Sequence, residues 1–342
     1  MKFEKPLILS APEPRSIDLI FTPEQKKALF DRYEIVETVA GKLKDQPAEV
    51  LSKARYILGQ PPISDETLGK LKSLRCVFNV ESNLMNNMPY ETLFQRGIHV
   101  VTTGAVFALP VAELGVALAL NLARDVIEGD LSFREGRELW GGDGNTKARL
   151  LSGSEIGILG FGDLGRALRK VLSGFDATIR VFDPWLPHSL IRDHGVIPAD
   201  LNTVLERSDF VFVVAAVTGE NKGFLGKDAF SRMRKGSAFI LLSRSDVVNF
   251  EELMEAVRSG HILAASDVYP EEPLPKGHPV RKLKGFVRSA HRAGALDSAF
   301  KKMGDMVLED MGLLDRGLPP LRCKRAERET FSKFCSRPVD RN

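Results

Sequence analysis

Cysteine is scarce in this sequence. Cys76, Cys323 and Cys335 are the only three in 342 residues, and their spacing fits neither a disulfide framework nor a set of metal ligands. We therefore expect a reducing compartment and no bound metal. The first fifteen residues lack the apolar centre of a signal peptide, and the longest apolar stretch, residues 114–123, is too short to span a bilayer. These absences predict a cytoplasmic protein with no membrane partner.

The chain also lacks an excess of charge of either sign. Its 48 Lys and Arg residues nearly balance 45 Asp and Glu residues, which leaves a net charge of +3. Such a small excess, spread along the chain, does not favour nucleic acid or a membrane surface as a partner. Hydrophobic residues make up 43% of the chain, which is enough for a sizeable core. The length indicates about two domains, and a small molecule is the expected partner.

The most informative feature present is a cluster of glycines with the spacing G-x-G-x-x-G. Gly160, Gly162 and Gly165 stand between an apolar run, residues 156–159, and a helical pattern, residues 163–172. Gly160 would permit a tight turn, Gly162 would let the backbone approach a pyrophosphate, and Gly165 would let the helix pack close to the strand.

The helix that follows these glycines would bind the phosphates. Its first residues, Asp163 and Leu164, lie where the free N–H groups and the partial positive charge of a helix N-terminus attract anions. The next strand, residues 178–182, ends at Asp183, eighteen residues after Gly165. A carboxylate at this place accepts hydrogen bonds from the adenosine ribose and repels a 2′-phosphate, so the pattern predicts NAD rather than NADP. The alternative is a structural strand–turn–helix with an incidental aspartate.

Strand-like and helix-like segments alternate along most of the chain. From about residue 155 to 289 the strands are nearly continuous apolar runs, which is typical of a parallel sheet covered on both faces. The first hundred residues also have an α/β pattern but no glycine fingerprint, so we expect a partner domain. The pattern of residues 110–129 predicts one long helix that is apolar over most of its circumference. Either burial within its own domain or a subunit interface would explain that surface.

Three residues after late strands have the chemistry that a nicotinamide enzyme needs besides its cofactor. Arg244 follows strand 237–243, at the edge of a parallel sheet where ligands bind, and its guanidinium can hold a carboxylate bidentately. His291 closes a later strand, and histidine can give or take a proton near neutral pH. Glu272, in the proline-bounded loop 267–275, could orient that histidine. Taken singly, these residues have structural alternatives: a surface salt bridge, a structural histidine and a solvated loop acid.

Taken together, these stretches resemble the D-2-hydroxyacid dehydrogenase family, also called the D-isomer-specific family. The resemblance covers the chain from about Leu71 to about Pro320, in the expected order. Besides the glycine fingerprint, the shared motifs are VAELGVALALNLARDV (111–126), LLSRSDVVN (241–249), DVYPEEPLP (267–275) and AHRAG (290–294).

The resemblance implies a role for each residue of the catalytic group. Arg244 would bind the carboxylate and the carbonyl of the substrate. His291 would donate a proton to the carbonyl oxygen in reduction and remove it in oxidation, and Glu272, rather than Glu271, would pair with that histidine. Asp267 would contact the nicotinamide carboxamide. The resemblance also implies a cofactor pocket that includes Ala216, where the family has a proline, and Ser243.

The sequence departs from the family pattern at several places. Ser245 replaces the glycine after the catalytic arginine, and Ala290 replaces the proline before the histidine. The substrate loop, usually glycine-rich, is FNVESNLMNN at residues 78–87. Its carboxylate at Glu81 argues against the usual small 2-keto acids as substrates but leaves the hydride-transfer residues intact. The substrate-binding residues expected in this loop are Asn79, Val80, Glu81 and Ser82.

From this resemblance we expect two Rossmann-like α/β domains with doubly wound parallel sheets. The partner domain would combine residues 1–108 with 295–321, because the last helix returns to it, and the cofactor domain would be 109–294. Residues 322–342 would form a solvated tail. By the same resemblance, the helix at 111–127 would lie at a twofold homodimer interface.

The predicted function is therefore hydride transfer between NAD(H) and a 2-hydroxy acid or 2-keto acid. A non-catalytic NAD(H)-binding regulator on the same fold is the alternative from another functional class, because a dehydrogenase fold does not guarantee turnover. An enzyme that uses the same pocket for a different anion is a third possibility.

Overall fold

The computed structural model describes residues 5–81 and 83–333. The chain forms two compact units. The first combines the chain up to Phe107 with the chain from Ala295 onward, and the second is Ala108–Gly294. Each unit contains a mainly parallel sheet with helices, so the prediction of two Rossmann-like α/β folds is confirmed.

In chain order the strands of the described residues are β1 (Leu7–Ser10), β2 (Glu34–Glu37), β3 (Ala54–Leu58), β4 (Cys76–Asn79), β5 (His99–Thr102), β6 (Glu155–Leu159), β7 (Thr178–Phe182), β8 (Ile197–Pro198), β9 (Phe210–Val213), β10 (Ala238–Leu241), β11 (Leu263–Ser266), β12 (Phe286–Arg288) and β13 (Lys324–Arg325). The α-helices of the same residues are α1 (Ile17–Ile20), α2 (Pro23–Arg32), α3 (Ala48–Lys53), α4 (Asp65–Lys70), α5 (Tyr90–Gln95), α6 (Ala108–Arg124), α7 (Val126–Arg134), α8 (Asp163–Val171), α9 (His188–Asp193), α10 (Leu201–Arg207), α11 (Lys227–Arg232), α12 (Phe250–Arg258) and α13 (Asp297–Asp315).

The sheet of the first unit has the order β13-β5-β4-β3-β1-β2. Strands β1 to β5 are parallel, and β13 runs antiparallel to β5. Successive residues of the central strands point to opposite faces, so Ile8 and Tyr56 belong to one core cluster while Leu9 and Ile57 belong to another. Helix α13 packs against α1 and α2 on the first of these faces.

The beginning of the expected solvated tail is instead built into the first unit. The buried carboxylate of Asp310 accepts hydrogen bonds from the N–H groups of Leu321, Arg322 and Cys323. Strand β13 then pairs with the edge of the sheet, and the ring of Phe331 stacks on that of Tyr90 with 4.9 Å between centroids. Backbone and aromatic contacts thus order residues 322–333 despite their charged composition, and residues 334–342 lie outside the described part.

The sheet of the second unit has the order β12-β11-β10-β9-β6-β7-β8 and is parallel throughout. The chain winds outward in one direction from β6 to β8 and in the other from β9 to β12. The switch therefore lies between β6 and β9, where open α/β sheets bind ligands at the carboxyl ends of the strands.

The long apolar helix of the second unit is two helices. Helix α6 ends at Arg124, and α7 begins after Asp125, which has a left-handed φ of +50°. Most apolar side chains of α6, including Val116 and Leu118, are buried within their own unit, where the helix packs against α8 and β10.

Helix α6 is also longer than its apolar sequence stretch indicates. With the preceding turn it spans Gly104–Arg124, and these 21 residues are enough in length and composition to cross a membrane. The expectation that it is too short was therefore wrong. Half of the most apolar window is buried inside the protein, which makes this a core helix.

Candidate active site

The three expected catalytic residues lie at one edge of the second-unit sheet. Arg244 follows β10 by three residues, Glu272 stands in the loop after β11, and His291 follows β12 by three residues. Because these strands are parallel neighbours, their carboxyl ends meet at the same edge. The order of the strands therefore brings together side chains that are up to 47 residues apart in the chain.

His291 and Glu272 form a direct pair. The Nδ1 atom of His291 lies 2.5 Å from Oε2 of Glu272, and Oε1 of the same carboxylate accepts the N–H of Tyr269 at 2.9 Å. The two side chains are 28% and 24% exposed, so the pair is accessible from solvent. A carboxylate held at both oxygens fixes the ring of the histidine and leaves Nε2 as the nitrogen available to a substrate.

The environment of Glu272 keeps its carboxylate charged. Burial by itself would raise the pKa of Glu272, but the hydrogen bonds from His291 and from the Tyr269 N–H outweigh burial, and the charges of His291 and Arg244 add to them. The pKa of Glu272 is therefore lowered below its ordinary value. His291 consequently faces an anion throughout the neutral pH range.

Asp267 holds the turn on which His291 stands. Its buried carboxylate accepts the N–H groups of Arg292 and Ala293, both at 3.1 Å, and its carbonyl oxygen accepts the N–H of His291 at 2.7 Å. His291 itself has a left-handed φ of +48°, a conformation that non-glycine residues adopt only when the surroundings impose it. Asp267 is thus a positioning residue in the protein, a role that sequence reasoning missed because it depends on groups 25 and 26 residues away.

Arg244 begins the turn after β10. Its Nη1 atom donates a hydrogen bond to the carbonyl oxygen of Ser243 at 2.7 Å, and the half-buried guanidinium is close enough to Glu272 to lower the pKa of that carboxyl. The hydroxyl of Ser243 is buried and has no hydrogen-bond partner among the described residues. A buried hydroxyl without a partner is costly unless a ligand supplies one, which fits the expected place of Ser243 in the cofactor pocket.

The glycine motif has the geometry of a phosphate cradle. Gly160 has a φ of +94°, and a Cβ atom there would lie 2.6 Å from Cα of Ala215, while a Cβ atom at Gly165 would collide with the carbonyl oxygen of Gly160. At Gly162 nothing lies within 4 Å of an added Cβ atom. Two of the glycines therefore permit a tight turn and close helix packing, and the middle one faces open space that a pyrophosphate can approach.

Helix α8 begins directly at this turn. Gly162 precedes its first residue and provides no side-chain cap, and the first-turn N–H groups of a helix, here at Asp163 and Leu164, have no partner within the helix itself. Asp183, at the end of β7, accepts the N–H groups of Phe161 and Trp185 at 2.7 and 2.9 Å. A carboxylate has further acceptor sites for ribose hydroxyls. These residues fit the adenosine diphosphate half of NAD. The exposed Ala216 lies three residues after the end of β9, the strand that neighbours β6.

The expected substrate loop lies at the carboxyl end of β4 in the first unit. Hydrogen bonds between residues of the loop hold its backbone in place. The side chain of buried Asn79 accepts the N–H of Glu81 and donates to the carbonyl of Asn83, both at 2.7 Å, and Val80 is buried. These bonds occupy the backbone N–H of Glu81. Ser82 lies outside the described residues.

Glu81 has a partner that the sequence did not reveal. Its two carboxylate oxygens lie 3.2 and 3.3 Å from Nε and Nη2 of Arg15, whose guanidinium stacks 4.7 Å from the ring centroid of Phe300. The Arg15 side chain is nearly buried, whereas that of Glu81 is 21% exposed. The substrate edge of the first unit thus presents a neutralised carboxylate. The only sequence signal for Arg15 is its place shortly after β1.

Comparisons with known proteins show which proteins this chain is similar to. Residues 116–293 match the family described as D-isomer specific 2-hydroxyacid dehydrogenase, NAD binding domain. A crystal structure of a phosphoglycerate oxidoreductase from Rhizobium etli superposes with a TM-score of 0.89 and 68% identity, covering 95% of this chain and 100% of that one. The glyoxylate reductase of Korarchaeum cryptofilum is 28% identical over 87% of this chain and 86% of its own length. The D-3-phosphoglycerate dehydrogenase of Archaeoglobus fulgidus is 28% identical over 83% of this chain and 54% of its own length.

The glycine cradle and the His–Glu pair at the carboxyl edge of a doubly wound sheet define an NAD-dependent α/β oxidoreductase. The chain belongs to the D-isomer specific 2-hydroxyacid dehydrogenase family. Its cofactor is NAD, as the fingerprint and Asp183 predict, and its enzyme class is the NAD-dependent 2-hydroxyacid dehydrogenases.

Proposed function

We propose that this protein interconverts a 2-hydroxy acid and its 2-keto acid with Arg244, Glu272 and His291 as the catalytic group. The observation that supports the proposal most strongly is the 2.5 Å contact between His291 and Glu272, with the charge of Arg244 nearby. NAD, when bound, supplies or accepts the hydride at the second carbon of the substrate. The residues of the chain bind the acid, orient it and move one proton.

In reduction, Arg244 binds the carboxylate of the keto acid and polarises its carbonyl, because a guanidinium stays charged and offers paired donors. His291 gives the proton on Nε2 to the carbonyl oxygen as that oxygen gains negative charge. Glu272 stabilises the charged imidazole before the transfer and keeps the ring in place after it. In oxidation His291 takes the hydroxyl proton, and Glu272 stabilises the imidazolium that forms.

The proposed cofactor-binding roles are derived from the geometry of the glycine turn between β6 and α8. Gly160, Gly162 and Gly165 with the first turn of α8 would hold the pyrophosphate, and Asp183 would accept the ribose hydroxyls. The buried hydroxyl of Ser243 would meet the nicotinamide half of the cofactor. Since both carboxylate oxygens of Asp267 already accept backbone N–H groups, its proposed contact with the carboxamide would add to its role in positioning His291.

The first substrate to test is the 2-keto acid that corresponds to phosphoglycerate. The solved relative with 68% identity over its whole length is a phosphoglycerate oxidoreductase, and the Arg15–Glu81 pair sets this substrate edge apart from a bare glycine loop. Glyoxylate, the substrate that the names of several relatives indicate, is the second member of the panel.

We also infer a cytoplasmic homodimer. Most apolar residues of α6 are buried within their own unit. The proposed interface therefore moves from residues 111–127 toward α7, which has no buried residue. Apolar side chains exposed on α7 and the following loop are Val126, Ile127, Leu131, Phe133, Leu139, Trp140 and Leu150. Exposed apolar surface of this extent is typical of a subunit contact.

The test of the catalytic proposal compares His291→Ala, Arg244→Ala and a matched control, His188→Ala, at an exposed histidine of the same unit. His291→Ala should lower kcat by about 10²–10⁴-fold and leave the Kd for NADH, measured by fluorescence, nearly unchanged. Arg244→Ala should raise KM and lower kcat, because its contact exists in the ground state and strengthens in the transition state. The control should match the wild type.

Two outcomes would contradict the proposal. Near wild-type turnover by His291→Ala would mean that the proton comes from another group. Tight NADH binding without turnover of any 2-keto acid by the wild type would favour a cofactor-binding regulator.

A further inference from the structure

A basic cavity opens on the first unit, at the sheet edge opposite Asn79 and Glu81. Its volume is about 690 Å³, and one carboxylate, that of Glu34, lines it. The cations that line it are Lys5, Lys53, Arg55, Lys72, Arg75 and Arg96. This concentration of positive charge contrasts with the net charge of only +3 for the whole chain.

The parallel sheet explains why these cations meet. Lys53 immediately precedes β3, Arg75 immediately precedes β4, and Lys5 lies two residues before β1. The amino ends of parallel strands share one edge of a sheet, so residues from distant segments converge there. The carboxyl ends, with the proposed substrate loop, lie at the other edge. The basic cavity, meaning the site lined by these six cations, is therefore separate from the substrate loop.

Neighbouring groups neutralise only part of this charge. Lys53 pairs with Glu49 at 2.9 Å, and Arg55 lies 3.5 Å from Asp315. Arg96 donates to the carbonyl oxygens of Leu68 and Leu71, both at 2.6 Å. These carbonyls fix the guanidinium of Arg96 without cancelling its charge.

Lys72 and Arg75 add positive charge that no ion pair within the described residues offsets. Both side chains belong to exposed residues, and neither forms an ion pair with another residue in 5–81 or 83–333. Like charges gathered in a concave site raise the local potential and attract anions. An anion that bridges Lys72, Arg75 and Arg96 would relieve their mutual repulsion.

We propose that the basic cavity binds a small soluble polyanion of the phosphate-ester class. Guanidinium groups match phosphate oxygens bidentately, and lysine ammonium groups add point charges. The cavity volume of about 690 Å³ is large enough for a small phosphate ester. The site requires no contact with the catalytic residues and does not depend on the substrate that they use.

The experiment titrates inorganic pyrophosphate into the protein by calorimetry, with saturating NADH present so that the glycine cradle is filled. The variant is Lys72→Glu/Arg75→Glu. The matched control, Lys235→Glu/Lys284→Glu, makes the same charge change at exposed lysines of the second unit. Wild type and control should bind pyrophosphate with similar affinity, and the cavity variant should bind at least about tenfold more weakly.

A second measurement uses the wild type alone. Pyrophosphate should protect Lys72 and Lys53 from acetylation by an amine-reactive ester, detected by mass spectrometry, and should leave Lys235 and Lys284 unprotected. Absence of pyrophosphate binding by the wild type, or equal weakening in the control variant, would overturn the proposal. Displacement of pyrophosphate by a ten-nucleotide oligothymidylate at a lower concentration than by a phosphorylated three-carbon acid would also overturn it, in favour of a nucleic acid ligand.

Discussion

The charge of Glu272 is maintained by its contacts with His291, Tyr269 and Arg244, and this coupling links catalysis to stability. The pKa of Glu272 is lowered from its ordinary value of 4.5. A group whose pKa is lower in the folded than in the unfolded state stabilises the fold above the unfolded value. That stabilisation is lost as the pH falls through the lower, folded value.

For Glu272→Gln we therefore expect a loss of stability at neutral pH that shrinks in acid. The variant lacks the charge, so the free energies of unfolding of wild type and variant should begin to converge as the pH falls below about 4.5, the ordinary pKa that Glu272 has in the unfolded chain. They should converge fully only below the lower pKa of the folded state. Urea denaturation at several pH values measures both free energies of unfolding. The same variant should lose keto-acid reduction at a lower pH than the wild type, because the imidazolium has lost its anionic partner.

The control for this prediction is Glu271→Gln at the exposed neighbouring residue. It should leave both the free energy of unfolding and the pH–rate profile close to those of the wild type. A constant stability difference between wild type and Glu272→Gln down to about pH 3 would show that the His291–Glu272 charge pair is not its source.

At the scale of elements, the turn from β6 into α8 contains glycines that are needed for two different reasons. Gly165 is needed for packing, since a side chain there would strike the backbone of Gly160, and a backbone atom cannot move aside as a flexible side chain can. Gly162 has free space around it and a negative φ. We propose that the approach of the cofactor, rather than packing, requires glycine at this position.

Gly165→Ala and Gly162→Ala should therefore have different effects. Gly165→Ala should destabilise the protein by about 1–3 kcal/mol through overpacking and weaken NADH binding as α8 is displaced. Gly162→Ala should leave the melting temperature unchanged or slightly raised, yet weaken NADH binding by about tenfold or more, because the new methyl group lies where the pyrophosphate approaches. Thermal unfolding without cofactor and an NADH titration distinguish the two. Equal losses of stability in both variants would contradict this division.

At the scale of the whole molecule, the exposed apolar residues of α7 and the loop after it predict self-association. Phe133 and Trp140, with 62% and 74% of their surfaces exposed, lie 6.4 Å apart between ring centroids. Aromatic residues of this kind are common at the centre of subunit contacts.

Light scattering at micromolar concentration should give twice the chain mass of 37.8 kDa for the wild type. Phe133→Asp/Trp140→Asp should give the monomer mass, because burying two carboxylates in an apolar interface is unfavourable. Leu321→Asp, at an apolar residue of the first unit that is 71% exposed, is the matched control and should remain dimeric. A monomeric wild type would contradict the proposed interface.

Local sequence patterns were sufficient for the cofactor cradle, whereas the choice of catalytic candidates also needed the resemblance of several stretches together to one family. The glycine spacing, the strand that ends at Asp183 and the residues that follow parallel strands each lie within a short stretch of chain. These motifs are informative because every doubly wound sheet places the same positions, the first strand–helix turn and the carboxyl ends of the strands, at its ligand-binding edge. For this reason the sequence predicts the fold class, NAD as the cofactor, and Arg244, Glu272 and His291 as candidates.

Tertiary structure decided the features that depend on groups far apart in the chain. The contacts of Asp267 with the His291 turn, the Arg15–Glu81 pair and the basic cavity join residues whose proximity follows from strand order, which no local pattern specifies. The break at Asp125 decided which apolar residues are exposed, because it ends the buried helix α6 and leaves α7 uncovered. Hydrophobic periodicity determines which elements form, whereas the partner of each charge is set only when those elements pack.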